Sequence, residues 1–261
     1  MKKITKLEID GMELVVIHQA EDEKILNKSD YNLPYTHHCV SSAVVTRELT
    51  AFKRLLHDDK VTGVKTVADI FGGAGFNSAM VRRMFEIKKH LMIDIDDDCC
   101  ETMEYNFGKE NGVTILNGDT YKIVKSIKEK YDFIISEFNR FTFGSTLKGK
   151  ENFELFPRLF GMSKKYVYIL DSAVYGLKRF PSTVLHYEGI FEKKFTSPMD
   201  YFRYFNLCVQ KAYGFGVPLV IVNAGMIYAS MLFIKGYDGE TKILKGKSNI
   251  SKRILVENEY K

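Results

Sequence analysis

The chain has 261 residues, with 38 Lys and Arg against 33 Asp and Glu, a formal net charge of +5 and a pI of about 8.8. At 45% hydrophobic and 27% charged residues, it has ordinary globular composition and enough length to bury a core without disulfides or metal staples. Mild basicity admits a phosphate-rich partner without demanding one. No apolar run reaches membrane-spanning length, and the basic start MKKITKLEID is not followed by the apolar stretch of a signal peptide. The cysteines, Cys39, Cys99, Cys100 and Cys208, include no CxxC pair for zinc, and adjacent Cys99 and Cys100 do not form an ordinary bridge. These features predict a reduced, cytoplasmic chain with no metal and no membrane partner.

In chain order, Lys6–Ile9 and Glu13–His18 read as a short hairpin, followed by a polar loop up to Pro34. Ser41–Leu56 has helical spacing, with Val44, Val45, Leu49, Phe52, Leu55 and Leu56 mainly on one face and Ser41 or Ser42 as its cap. From Lys65 the rhythm is strand, turn, helix. Strands are predicted at Thr66–Ile70, Leu91–Ile95, Val113–Leu116, Tyr131–Ser136 and Tyr166–Leu170. Helices are predicted between them at Ser78–Lys89, Asp98–Phe107, Tyr121–Lys130 and Glu151–Leu159. Such alternation implies a mostly parallel sheet with helices on both faces. Met199–Tyr213 reads as a further helix, and Pro218–Asn223 with Ile227–Lys235 as an antiparallel hairpin around Ala224-Gly225. The expected organisation is an N-terminal hairpin and helical cap over 1–60, an α/β domain over 61–236, and a polar tail over 237–261.

The strongest motif is Asp69-Ile70-Phe71-Gly72-Gly73-Ala74-Gly75, a strand that enters a glycine turn and leaves on a helix. Glycine lets the backbone bend sharply and lets a ligand approach where a side chain would collide. Alone, such a turn is equally a tight strand–helix connection. Asp94 closes the second strand and Asp119 follows Asn117-Gly118 at the third. A carboxylate at the first place can accept from ribose hydroxyls, and one at the second from the exocyclic amine of adenine.

With these residues the segment 66–135 resembles the class I S-adenosylmethionine-dependent methyltransferases, and among them most closely the DNA cytosine-5 enzymes. Phe71-Gly72-Gly73-Ala74-Gly75 is similar to their FxGxG turn. Asp94-Ile95-Asp96 with Cys99, Thr102 and Asn106 is similar to their second motif, Gly118-Asp119 to their third, and Asp132-Phe133-Ile134-Ile135 to the strand before their catalytic loop. The resemblance implies a Rossmann-like fold, S-adenosyl-L-methionine as cofactor, and a DNA-modifying or other nucleic-acid methyltransferase. It places Asp69, Phe71, Gly73, Gly75, Asp94, Ile95 and Asp119 around the cofactor, with Asp94 at the ribose, Asp119 at the adenine amine and Phe71 beside them. Asn139-Arg140 stands where those enzymes carry Pro-Cys, and arginine stays protonated and is no nucleophile. The [DNS]-P-P-[YF] loop of amino-methylating enzymes is absent from that position as well.

Glu137, Asn139 and Arg140 are therefore the candidate catalytic residues, since α/β sheets place their chemistry at the carboxyl ends of the strands. Glu137 suits a general base, Asn139 a hydrogen-bonding contact and Arg140 an anion clamp; a loop salt bridge between Glu137 and Arg140 is an equal reading. Phe138 and Phe141 read as core, Tyr35-Thr36-His37-His38-Cys39 as a loop leading into the first helix, and Tyr201–Phe205 as part of an amphipathic helix. A nucleic-acid acceptor is expected. A small-molecule acceptor, and a regulatory protein that binds the cofactor without chemistry, are the alternatives.

Overall fold

A computed structural model describes residues 1–19, 36, 39–40, 44–138, 155–171, 198–223, 228–247 and 249–259. Strands β1 (Lys2–Ile9) and β2 (Met12–Gln19) form an antiparallel hairpin. Its turn is Asp10-Gly11, both at positive φ (53° and 73°), the two-residue geometry that matches strand twist. The hairpin is longer than expected at both ends. Helix α1 (Val44–Asp58) follows, and then the alternating series: β3 (Thr66–Ile70), α2 (Phe76–Met84), β4 (Lys89–Asp94), α3 (Asp97–Phe107), β5 (Val113–Asn117), α4 (Thr120–Ser126) and β6 (Tyr131–Phe138). Helical residues 155–162 form α5. They lead into β7 (Ser163–Asp171), α6 (Pro198–Tyr213), β8 (Phe215–Gly216), β9 (Leu219–Asn223) and β10 (Tyr228–Lys235). Helices α2 and α4 stop at Met84 and Ser126, short of the expected Lys89 and Lys130, and the next strands begin at Lys89 and Tyr131.

The large sheet, with β11 (Lys242–Lys245) at one edge, runs β11-β9-β10-β7-β6-β3-β4-β5, with β8 paired to β10. Strands β3 to β7 pair parallel, and β10 is antiparallel to both β7 and β9. From β3 the chain steps outward through β4 and β5, then returns to the other side of β3 with β6 and β7. The strand order therefore reverses between β3 and β6, where open α/β sheets form their ligand crevice. Two apolar layers cover the faces. One joins α1, α2, α3 and the hairpin through Leu49, Phe52, Met80 and Met103. The other joins α4, α5 and α6 through Val124, Leu159, Phe160 and Val209.

The stretch expected as a polar tail is instead structural. Residues Lys242–Lys245 form β11, parallel to β9, and Lys252–Glu259 form β12, antiparallel to β1. The Lys252 ammonium donates to the carbonyls of Cys39 (3.0 Å) and Val40 (2.8 Å), and Arg253 pairs with Glu8 at 2.6 Å. Pairing through backbone leaves the side chains of β12 largely exposed, so its sequence carries no apolar alternation.

Among the described residues the open edge of β2 meets no strand, and α3 closes it. Thr102 Oγ accepts from the Ile17 amide (3.0 Å) and donates to its carbonyl (3.3 Å). One helical turn on, Asn106 accepts from the Val15 amide (2.9 Å) and donates to its carbonyl (2.7 Å). Residues at i and i+4 share a helix face, so the two side chains imitate a paired strand and cover an otherwise exposed ladder. Asn106→Ala should cost about 1–2 kcal/mol, because it strands a backbone donor and acceptor in a part-buried joint. Urea unfolding reads the loss, and accelerated amide exchange at Val15 localises it.

Candidate cofactor crevice at the carboxyl end of the sheet

Strand β3 ends in Phe71, which has φ 63°, a conformation rarely adopted by a bulky residue and found mostly where a site imposes it. The Gly72 amide donates to the Ile93 carbonyl and the Gly75 amide to the Gly72 carbonyl, both at 2.9 Å. The turn is thus pinned to the end of β4. Gly73 and Gly75 have φ 53° and 79°. Helix α2 starts directly behind Gly75 with no side-chain cap, leaving its first amides to an anionic group from outside.

Asp94 binds this turn together. Its Oδ2 accepts from the Gly73 amide at 2.8 Å, and its Oδ1 accepts from the amides of Ile95 (2.8 Å) and Asp96 (2.9 Å). Burial pushes its carboxyl pKa up, and the three amides oppose that shift. A carboxylate offers about four lone-pair sites, so these amides leave room for about one further donor on Oδ2. The Asp94 carbonyl accepts from Gly118 at 3.0 Å, which sets Asp119 beside Asp94. Asp119 itself caps α4 through the Lys122 amide at 3.3 Å and pairs with Lys122 Nζ at 3.4 Å. Next to Asp94, Ile95 is 59% exposed, an apolar side chain kept out of the core at the crevice rim. Phe71 meets the ring of Tyr121 edge-on, with centroids 5.6 Å apart; Tyr121 was not singled out in the sequence, where it reads only as a helix residue.

Asp69 lies beneath the turn rather than in it. It is 1% exposed, and its Oδ2 accepts from Ser78 Oγ at 2.6 Å. Ser78 Oγ is also 2.9 Å from His90 Nε2. A hydroxyl has one proton to give, so with Ser78 donating to Asp69, His90 Nε2–H donates to Ser78. Burial raises Asp69 to about 7 and lowers His90 to about 3, with Arg82 adding to the second shift.

At the end of β6, Glu137 Oε1 accepts from Asn77 Nδ2 in the first turn of α2. Asn139 and Arg140 lie outside the described residues, as do Phe141, Tyr35, His37 and His38. Side chains opposite Glu137 come from α1 and β7. Phe52 of α1 stacks on Phe133 at 6.0 Å between centroids and meets the Tyr168 ring tilted at 4.5 Å. Glu48, one helical turn earlier on the same face, is buried and lies close enough to Glu137 for their charges to oppose each other. A sequence signal for Glu48 existed: it is an acidic residue on the apolar stripe that carries Val45, Leu49 and Phe52. Burial, and then the neighbouring Asp94 and Asp96, push the Cys99 and Cys100 thiols up, Cys100 to about 12. Both stay neutral thiols at ordinary pH, not nucleophiles. No described helix is long and apolar enough to cross a membrane.

No protein-family model and no curated protein matches the sequence. Among solved structures, the chain is similar to the N-methyltransferase NodS from Bradyrhizobium japonicum WM9, with TM-score 0.50 and 9% identity over 76% of this chain and 99% of that one. Magnesium protoporphyrin IX methyltransferase from Synechocystis PCC 6803 with bound S-adenosylmethionine aligns at TM-score 0.46 and 12% identity, over 81% and 88% of the two chains. A ribosomal protein methylase from Lactobacillus delbrueckii subsp. bulgaricus aligns at TM-score 0.45 and 14% identity, over 71% and 77%. At 9% identity the likeness to NodS is one of fold: the chain has the Rossmann-like fold of the class I methyltransferases, with a mostly parallel sheet and a C-terminal antiparallel pair.

Proposed function

We propose that the chain is an S-adenosylmethionine-dependent methyltransferase that acts on nucleic acid by direct methyl transfer. The observation that carries this reading is Asp94. Its carboxylate locks the Gly72–Gly75 turn at the switch point of the sheet and keeps capacity for about one outside donor. One ribose hydroxyl suits that capacity. The exposed Ile95 suits an adenine face, Asp119 the adenine amine, and the uncapped start of α2 the methionyl carboxylate. Phe71, Gly73 and Gly75 shape the turn, and Asp69 supports it from below. When bound, the cofactor supplies an electrophilic methyl group, so the protein's task is mainly proximity and orientation. Glu137 takes the acceptor's proton, Asn139 suits a hydrogen bond to the acceptor and Arg140 an anion on it. The cytosine-5 likeness of the motifs extends to the cofactor residues but not to the chemistry, because Asn139-Arg140 replaces the nucleophile.

A groove of about 530 Å³, which shares no lining residue with the crevice, would suit the phosphates of a long acceptor. It runs between α1 and the β11–β12 connection and carries Lys53, Arg54, His57, Lys245, Lys247 and Asn249. Lys53 and Arg54 are shared with Asp10 (2.6 Å) and Asp58 (3.0 Å), so the groove is basic overall without being strongly charged. A small-molecule acceptor is the second reading, favoured by the partial neutralisation of the groove's charge by Asp10 and Asp58.

Calorimetry with S-adenosylmethionine and S-adenosylhomocysteine tests the crevice. Binding of both is expected, and Asp94→Ala should weaken it about tenfold or more, since it deletes charge-assisted bonds to the ribose and to the turn. Absence of binding by the unmodified protein overturns the proposal; unchanged affinity in the variant removes Asp94 from the cofactor.

A further inference from the structure

The faces that meet above Glu137 restrict the acceptor. Phe133, Ile135 and Glu137 alternate onto one side of β6, where Ile135 pairs in register with Tyr168 and Glu137 with Leu170. Helix α1 crosses that side with Phe52 over Phe133 and Tyr168. One turn toward the start of α1 brings Glu48 to the level where β6 ends. Asn77 of α2 holds Glu137 from the other flank. The Tyr168 hydroxyl, which could have offered a proton, is turned to Ser230 Oγ at 3.2 Å. Two carboxyl groups from different elements thus converge beside the cofactor crevice, and both are hydrogen-bond acceptors when ionised.

We infer that Glu48 and Glu137 form an acceptor-recognition pair for a nitrogen that bears N–H, the exocyclic amine of a nucleobase or a free amine. This rests on the methyltransferase reading above. Two carboxyl groups this close hold a proton between them, and the negative charge that remains favours an acceptor that brings an N–H donor over a carboxylate. The titratable neighbours agree. Glu48 is pushed well up by burial and by Glu137, and Tyr168 is pushed up by burial, Glu137, Glu48 and Asp69. The pair thus disfavours a second negative charge, and Glu137, held by Asn77, is assigned the role of proton acceptor. In the step, the nitrogen lone pair forms the N–C bond to the methyl as the S–C bond breaks, its electron pair remaining on sulfur. The N–H proton passes to Glu137, and S-adenosylhomocysteine and the N-methyl product result. Glu48 positions; Glu137 reacts.

Two measurements on the full chain test this. Carboxyl ¹³C NMR follows the titration of Glu48 in the unmodified protein and in Glu137→Gln. Loss of the facing charge should lower the Glu48 midpoint by about one pH unit or more; an unmoved midpoint means the pair does not exist. Labelled methyl transfer is then run with three acceptors, RNA, denatured DNA and spermidine, and the product is hydrolysed and identified. N-methylated bases or N-methylspermidine are expected, and whichever appears names the source of the nitrogen. Glu137→Gln should lower the rate about a hundredfold, while calorimetry shows the cofactor affinity unchanged. Methyl found on carbon or oxygen, or no transfer to any of the three by cofactor-bound protein, overturns the inference. If the protein binds no cofactor, the methyltransferase reading fails instead, and the titration still decides whether the pair exists.

Discussion

Gly75→Ala should destabilise the protein by about 2–5 kcal/mol and weaken cofactor binding with it. Two costs add. The residue has φ 79°, and an L side chain in the left-handed region costs roughly 1–2 kcal/mol. The added Cβ would also stand 2.7 Å from Phe107 Cε2, 3.0 Å from Met92 Cε and 3.3 Å from Met103 Cγ. The methionines are flexible, but the Phe107 ring is buried, and forcing a methyl into a packed layer costs about 1–3 kcal/mol. Equilibrium urea unfolding with an unchanged m-value reads the sum. A loss under about 1 kcal/mol would show that the turn adapts and that its shape is not dictated by close packing on α3. Gly161 supplies the contrast: it lies in α5 with nothing within 4 Å of an added Cβ, so Gly161→Ala should be neutral or stabilise by about 0.5–1 kcal/mol.

The second large effect is electrostatic. Asp69 titrates near 7 in the folded chain because it is buried, even though Ser78 donates to it. In the unfolded chain an aspartate titrates near 3.9. The folded state therefore holds the extra proton between about pH 4 and 7, and stability falls as pH rises through that window. The loss is complete above 7 and amounts to as much as about 4 kcal/mol for a shift of this order. His90 works in the opposite direction. Its folded pKa of about 3 lies below the unfolded value of about 6.5, so stability falls as pH drops from 6.5 toward 3. In the unmodified protein the two slopes offset each other between about pH 4 and 6.5. Asp69→Asn deletes one of them. Measured relative to the parent, its stability should rise steadily from pH 4 to 7 and exceed the parent's most clearly above pH 7. Urea midpoints across that range measure it; parallel curves for the two proteins would mean that Asp69 ionises normally.

Much of the architecture was legible in the residues. Each core strand from β3 to β7 contains its sequence-predicted run except that β4 ends at Asp94, one residue before the expected Ile95, because buried parallel strands are apolar runs and the helices between them carry their own periodicity. The crevice residues were legible for a related reason. A turn that needs positive φ demands glycine, and a carboxylate at a strand end stands out against an apolar run. Strands β11 and β12 were not legible, since they are bound through backbone and through Lys252 and Arg253, and backbone pairing leaves little trace in side-chain pattern.

Function divides the same way. The cofactor half of the proposal, Asp69, Phe71, Gly73, Gly75, Asp94, Ile95 and Asp119, rests on a local pattern within one stretch of chain, and that pattern is what the sequence by itself determined. Only the tertiary structure decided that Asp69 supports the turn from beneath, that Asp94 already holds three amides, and that Thr102 and Asn106 seal the edge of β2. It alone also brought Glu48 of the first helix up to Glu137 of the sixth strand. Residues so far apart in sequence meet only because α1 packs across the sheet, and no local pattern encodes that crossing.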